Sequence, residues 1–321
     1  MPALIVTLKK VDLPSLSSQP FVGSTPDVPA GRSARRRVWL WLNLLSLDAP
    51  LVAVVWLLFF ARSAATPINW YAVGVLALTV WLIYVGDRLL DALPGRNLHP
   101  APRHLFYCRH WRLFGYLAAV GLFALGFMCA RIQFQVLRNG AYLFGAVAVY
   151  FSVIHFAPQP YKFRWPKEMV VGLIFACGTS VDVWTRMREP KATLIVPVLL
   201  FGSLCWLNCV GIEYWEWNRY GLNYTQTPSG LTLRVGERLP VFLLAVAFSA
   251  TSLWATSFWK GDPMPHRHFL LACCFSSLAL LALARNSGQL STDALRVLAD
   301  ISLLSPLLFL LPQAMLMHLP Q

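Results

Sequence analysis

Nine stretches of this chain are apolar over all or nearly all of the length that a helix needs to cross a bilayer: 38–60, 70–92, 113–131, 138–156, 167–184, 194–217, 239–259, 268–285 and 293–315. A spanning helix takes roughly 20 mostly apolar residues. Of the 321 residues, 57% are hydrophobic and 13% charged, and the mean hydropathy is +0.56. That is too apolar for a water-soluble chain of this length. The short alternating segments of an outer-membrane barrel are not evident. The reading is an all-α, polytopic membrane protein with about nine transmembrane helices in one bundle over residues 38–321. Residues 1–37 are rich in Ser, Pro and Arg, and Leu4-Ile5-Val6 is too short for a signal-peptide core. They read as a disordered cytoplasmic tail.

Basic residues set the expected orientation. With the N-terminus cytoplasmic, 19 of the 27 Lys and Arg residues fall on that side and 8 on the other. The positive-inside rule then places the C-terminus on the opposite side of the membrane. The net charge of +13 suits an anionic membrane surface or an anionic substrate. A nucleic-acid role is disfavoured, because the basic residues sit in short loops between spans.

The most informative stretch is Trp81 to Trp111, WLIYVGDRLLDALPGRNLHPAPRHLFYCRHW. Asp87 and Asp91 stand four apart at the end of the second apolar segment, so they share a helix face. Charges at such a position are costly and usually functional. Paired carboxylates attract a hard cation such as Mg²⁺, which in turn binds phosphate oxygens. The loop that follows carries Arg96, Arg103, Arg109 and Arg112.

Two more regions fall on the same expected face. The Pro-rich connector APQPYKFRWPKE presents Tyr161, Lys162, Arg164 and Lys167, either as a lipid-headgroup cluster or as a diphosphate clamp. The sixth segment, FGSLCWLNCVGIEYWEWNRYG, places Asn208, Glu216 and Arg219 within roughly 80° of one another, with Glu213 beside Glu216. Its Trp206, Trp215 and Trp217 read as an interfacial belt or as site walls. Elsewhere, Asp48 in the first segment calls for a polar partner in the interior. The fifth segment's LIFACGTS allows close helix packing. Asp182 reads as interfacial, and Asp293, Arg296 and Asp300 read as a tie between the last segment and the bundle. The seven cysteines read as packing residues.

Taken together, the nine spans, DRLLD ending the second, the Tyr-Lys loop before the fifth and the acidic end of the sixth resemble the UbiA superfamily of intramembrane prenyltransferases. The resemblance covers roughly residues 38–315. It implies a helical bundle around a central cavity that opens sideways to lipid, with Mg²⁺ and a prenyl diphosphate held between two Asp-rich motifs. Asp87 and Asp91 match the last two acids of the first motif, Asn-Asp-x-x-Asp-x-x-x-Asp, while Ile83 and Tyr84 stand where it has Asn and Asp. Asn208, Ile212 and Glu216 are spaced like the acids of the second motif, with Glu213 as an extra carboxylate.

The resemblance implies metal binding by Asp87, Asp91, Asn208, Glu213 and Glu216. Tyr84, Arg88, Arg103, Tyr161, Lys162, Lys167 and Arg219 would complete the substrate site. The expected function is Mg²⁺-dependent ionisation of an allylic diphosphate, with transfer of the prenyl group to a lipophilic, aromatic acceptor. Trp70 to Gly86 contains no Arg or Lys of the kind that holds a carboxylated acceptor in some members. The alternative is a class I terpene cyclase of the same superfamily, in which the chain's own double bond captures the cation. A non-catalytic membrane carrier or lipid-binding protein is the reading from another class.

Overall fold

The computed structural model describes residues 45–91, 102–156, 167–188, 190–221 and 228–310. The tail at 1–37 therefore lies outside the described residues. Within them the chain is helical throughout, with no strand. In order the α-helices are α1 (Asp48–Ser63), α2 (Trp70–Asp91), α3 (Pro102–Arg109), α4 (Trp111–Cys129), α5 (Phe134–Phe156) and α6 (Lys167–Arg186). They continue as α7 (Ile195–Tyr220), α8 (Gly230–Glu237), α9 (Leu239–Lys260), α10 (Met264–Arg285) and α11 (Thr292–Ser302).

Six helices among the described residues are long and apolar enough to cross a membrane: α2, α4, α6, α7, α9 and α10. Their outer faces suit lipid. On α4, Tyr116 and Phe123 are 74% and 82% exposed, and large apolar side chains on α9 are exposed as well. Exposed tryptophans stand at helix ends, Trp70 opening α2, Trp111 opening α4 and Trp259 closing α9. Interfacial tryptophans occupy such positions in membrane helices.

Three of the nine expected spans are not among these six: α5, a helix over the expected 138–156 segment, and two that take another form. The first begins at Asp48, after a turn in which Ser46 has φ +56°. Its 16 residues reach only about 24 Å, less than the roughly 30 Å hydrocarbon core. This helix is an inner pillar, buried along most of its length. The last segment forms α11, capped by Ser291 Oγ accepting the Ala294 N–H at 3.2 Å. It breaks into turns at 303–306, before helix resumes at 307–310. Pro306 has no N–H to continue the ladder and clashes with the preceding turn.

Trp56 of α1 joins the parts of the core. It is fully buried, stacks on Phe201 of α7 at 4.2 Å and meets Phe269 of α10 edge-on at 5.3 Å. Its indole N–H donates to the Leu303 carbonyl at 2.7 Å. Phe59 and Phe60 fill the space around it. Aromatic side chains thus occupy the middle of the bundle.

The α6–α7 crossing is close because Gly172 lies against backbone. A Cβ at Gly172 would meet the Trp206 amide nitrogen at 2.6 Å, and one at Gly202 would meet the Ala176 Cβ at 3.4 Å. The closest approach is at Gly172, one residue before the LIFACGTS stretch in which close packing was expected; within that stretch Ala176 faces Gly202.

Candidate functional site

At one end of the bundle, α2, α5, α6, α7 and α8 bring polar side chains together around Lys167. The amine of Lys167 lies 3.0 Å from Glu213 Oε1 on α7 and 4.0 Å from Oε1 of its neighbour Glu168. Glu168 is 4% exposed. Its Oε2 accepts a 2.7 Å hydrogen bond from the Thr232 hydroxyl on α8, while Oε1 accepts none among the described residues. Ser229 caps α8 by accepting the Thr232 N–H at 3.1 Å, which fixes Thr232 in place. The Tyr150 hydroxyl donates to the Lys167 carbonyl at 3.2 Å. Asp87 of α2 lies near enough for its charge to act on both Tyr150 and Lys167.

Helix α7 divides its polar residues between two directions. Glu213 faces α6, whereas Glu216 lies about 60° away around the helix, at 100° per residue, and is held by a two-armed ion pair with Arg296 of α11. Asn208, on the Glu216 face, donates from Nδ2 to Asp300 Oδ1 at 3.0 Å. Asp300 also lies near enough to Asp48 for the two carboxyl groups to act on each other, which gives Asp48 polar company in the interior. Arg219 donates to the Leu290 carbonyl at 2.7 Å, and the Tyr220 and Thr292 hydroxyls lie 3.1 Å apart. The last helix is tied to the bundle as expected, with Glu216, not Asp293, as the partner of Arg296.

Of the residues singled out in the sequence, Asp87, Lys167 and Glu213 thus come together, with Tyr84 one turn below Asp87. Glu216, Asn208 and Arg219 are turned toward α11 or the segment before it. Arg88 is 8% exposed and lies 5.6 Å from the ring centroid of Tyr107 on α3, whose hydroxyl is 2.8 Å from Ser46 Oγ. Asp91 ends α2 and Arg103 lies in α3, but their side chains are outside the described residues, as are Tyr161 and Lys162 entirely. Trp215 is buried against Gly211, as a packing residue and not as an interfacial one. Asp182 is also buried, paired with Arg186 one turn later.

Glu168, Tyr150 and Thr232 had no signal of their own in the sequence. The acidic residue at the start of a span beside Lys167 was the nearest cue.

An apolar cavity of about 380 Å³ adjoins this cluster, between α1, α2, α4, α5 and α6. Tyr84 and Tyr150 line its end nearest Lys167, and Ala72 and Asp182 line the far end. The lining runs from Ala72 to Tyr84 along α2, about 18 Å of helix. It lies to the side of the aromatic core, on the α4–α5 flank, where the neighbouring helices face lipid. No family model matches this chain, and no curated protein or solved structure matches it either.

Asp87, Glu168 and Glu213 offer the oxygen donors that a hard cation takes, and Glu168 Oε1 accepts no hydrogen bond among the described residues, with the Lys167 amine 4.0 Å away. No three His, Cys, Asp or Glu side chains converge as a metal group among the described residues. Mg²⁺ is commonly held by only one or two carboxylates together with substrate phosphates.

Proposed function

We propose that this chain is an intramembrane, Mg²⁺-dependent enzyme that ionises an allylic prenyl diphosphate and transfers the prenyl group to a lipophilic, aromatic acceptor. The observation that carries the reading is the junction at Tyr84 and Tyr150, where an elongated apolar cavity meets a cluster of carboxylates and lysine. An isoprenoid tail suits the cavity, and its diphosphate suits the cluster.

Asp87, Asp91 and Glu213 would hold Mg²⁺ with the diphosphate oxygens, and the ion would supply charge neutralisation to the leaving group. Lys167 exchanges Glu213 for a diphosphate oxygen, which releases the glutamate as a donor. Lys162, on the connector before α6, adds a second cation. Glu168, fixed by Thr232, keeps the Lys167 amine at the mouth. Tyr84 and Tyr150 present ring faces at the boundary where the allylic cation forms. The apolar walls beyond exclude water that would quench it. Glu216 is held by Arg296, away from Lys167.

In this reading the segments 38–60 and 293–315 and α5 join the six long apolar helices to make nine passes, with the N-terminus cytoplasmic and the C-terminus opposite. The cluster then lies at the cytoplasmic face, where water-soluble diphosphates and Mg²⁺ are available.

The test is incubation of the purified protein with geranyl, farnesyl and geranylgeranyl diphosphates and Mg²⁺, with and without lipophilic phenols or quinols. The expected result is diphosphate release coupled to a prenylated acceptor. Cyclic hydrocarbons or alcohols formed without acceptor would move the assignment to the cyclase branch. No diphosphate release with any of the three would refute the reading.

A further inference from the structure

The end of the bundle away from Lys167 carries a basic group of its own. Arg62 lies in the last turn of α1, a short loop before Trp70, and α2 runs from Trp70 up to Asp87 at the opposite end. Arg267 and His268 stand near the start of α10, whose first turn holds no acid and whose N-cap, Pro263, supplies no side-chain hydrogen bond. Ring contacts hold the two helix ends together. Phe59 shares a face with Arg62 three residues on, and it stacks on Phe269 at 5.6 Å and on Phe309 at 6.1 Å. The His268 ring stacks on the same Phe309 at 5.1 Å, and the Arg267 guanidinium lies 5.4 Å from the ring centroid of Phe258 on α9. The charges of both arginines act on His268.

This group lacks an acceptor. Arg62 Nε, Arg267 Nε and His268 Nδ1 are buried with no hydrogen-bond partner among the described residues. Neither arginine is paired with a carboxylate there. Asp262, just ahead of the helix, acts on His266 instead. Buried donors left without a partner are costly, and several in one place point to a missing anion or water. The start of α10 also adds the positive end of its dipole, which disfavours cations and attracts an anion.

A lipid suits the surroundings better than a free anion. The exposed Trp70 and Trp259 stand at this end of the bundle and mark the level of lipid headgroups. Phe275, two turns along α10 on the face of His268, is 45% exposed and lies 6.1 Å from Phe309. An apolar strip therefore leads from the basic group toward the hydrocarbon.

We propose that Arg62, Arg267 and His268 bind the phosphate of an anionic phospholipid, with an acyl chain lying along Phe309 and Phe275. The phosphate oxygens accept from the unpartnered nitrogens as charge-assisted hydrogen bonds. A zwitterionic lipid brings a second cation to a group already positive and binds less well. The bound lipid joins α1 to α10, so it stabilises the bundle by mass action. The inference needs the bundle to lie in a bilayer and does not depend on the enzymatic reading.

The experiment is thermal unfolding of the purified full-length protein in dodecyl maltoside at one ionic strength. The additions are palmitoyl-oleoyl phosphatidylglycerol, phosphatidylcholine with the same chains, or inorganic phosphate without lipid. Phosphatidylglycerol is expected to raise Tm saturably by about 2–4 °C over phosphatidylcholine, and inorganic phosphate to have little effect. Arg62→Gln/Arg267→Gln is expected to abolish the difference, with Tm in phosphatidylcholine unchanged or higher because two repelling charges are gone. Arg112→Gln, an exposed cation at the other end, is expected to retain it. Should the double variant fail to fold, Arg62→Gln alone is expected to move the phosphatidylglycerol midpoint about tenfold higher. Equal Tm in the two lipids, as for a site that holds only water, would overturn the proposal. So would a phosphatidylglycerol effect that survives in the double variant, or inorganic phosphate that stabilises as much as the lipid. The assay contains no prenyl diphosphate, so its outcome is separate from that of the enzymatic test.

Discussion

Glu216 of α7 and Arg296 of α11 form a two-armed ion pair, with side chains 8% and 20% exposed, that binds the end of one helix to the middle of another. The pair removes Glu216 from the group around Lys167. Arg296→Met leaves a buried carboxylate without its partner and should destabilise the fold by about 3–5 kcal/mol. The double variant Glu216→Leu/Arg296→Met should recover most of that loss and retain Mg²⁺-dependent turnover. Chemical denaturation and diphosphate release of the three variants check both statements. An inactive but stable double variant would show that Glu216 takes part in chemistry.

Lys167 joins Glu213 and Glu168 in the structure and is assigned to the diphosphate in the reaction. Lys167→Met should raise KM for the prenyl diphosphate by about tenfold, equivalent to about 1.4 kcal/mol of charge-assisted binding. Its effect on stability should be small, since the Lys167 side chain is 41% exposed and such pairs are screened by water. Steady-state kinetics decide this, and an unchanged KM would remove Lys167 from the site.

Much of this arrangement was legible in the sequence, and the limits have physical reasons. The helices follow from apolar length, and α6–α7 packing follows from small residues. Asp87 and Lys167 were identified because charges next to apolar segments are expensive. The acids of α7 were read as one group because helical spacing gives only angles. Which neighbour each face meets depends on the position of α11, and no local pattern encodes that. The same gap hid the buried role of Glu168, whose partner Thr232 is 64 residues away. The inner position of α1 was also missed, since a buried pillar and a lipid-facing span have the same apolar composition.

Gly172 lies against the Trp206 backbone, which cannot move aside as a side-chain tip can. Gly172→Ala should therefore destabilise the protein by about 1–3 kcal/mol through overpacking. A Cβ added at Gly126 on α4 would meet only open space, and Gly126→Ala should be neutral or stabilising by about 0.5–1 kcal/mol. Thermal unfolding of the two variants side by side checks the contrast.

If the elongated cavity holds an isoprenoid tail, its length should select the substrate. Val75 lines the cavity more than two turns before Tyr84. Val75→Trp should spare geranyl diphosphate and reduce kcat/KM for geranylgeranyl diphosphate by at least about tenfold, the equivalent of about 1.4 kcal/mol. Equal losses across the three chain lengths would mean that the tail lies elsewhere.

The central claim is that the cluster at Asp87 and Lys167 performs diphosphate chemistry at the mouth of the apolar cavity. Asp87→Asn tests it most directly, because the amide keeps the shape and removes the charge. The measurement pairs Tm with Mg²⁺-dependent release of diphosphate, using Asp293→Asn on α11 as the control. The account predicts turnover lost by at least about a hundredfold, about 2.7 kcal/mol of transition-state stabilisation, with Tm unchanged or slightly raised and the control near wild type. Wild-type turnover in Asp87→Asn, or a lowered Tm with activity surviving in the folded fraction, would contradict it and make Asp87 a structural residue.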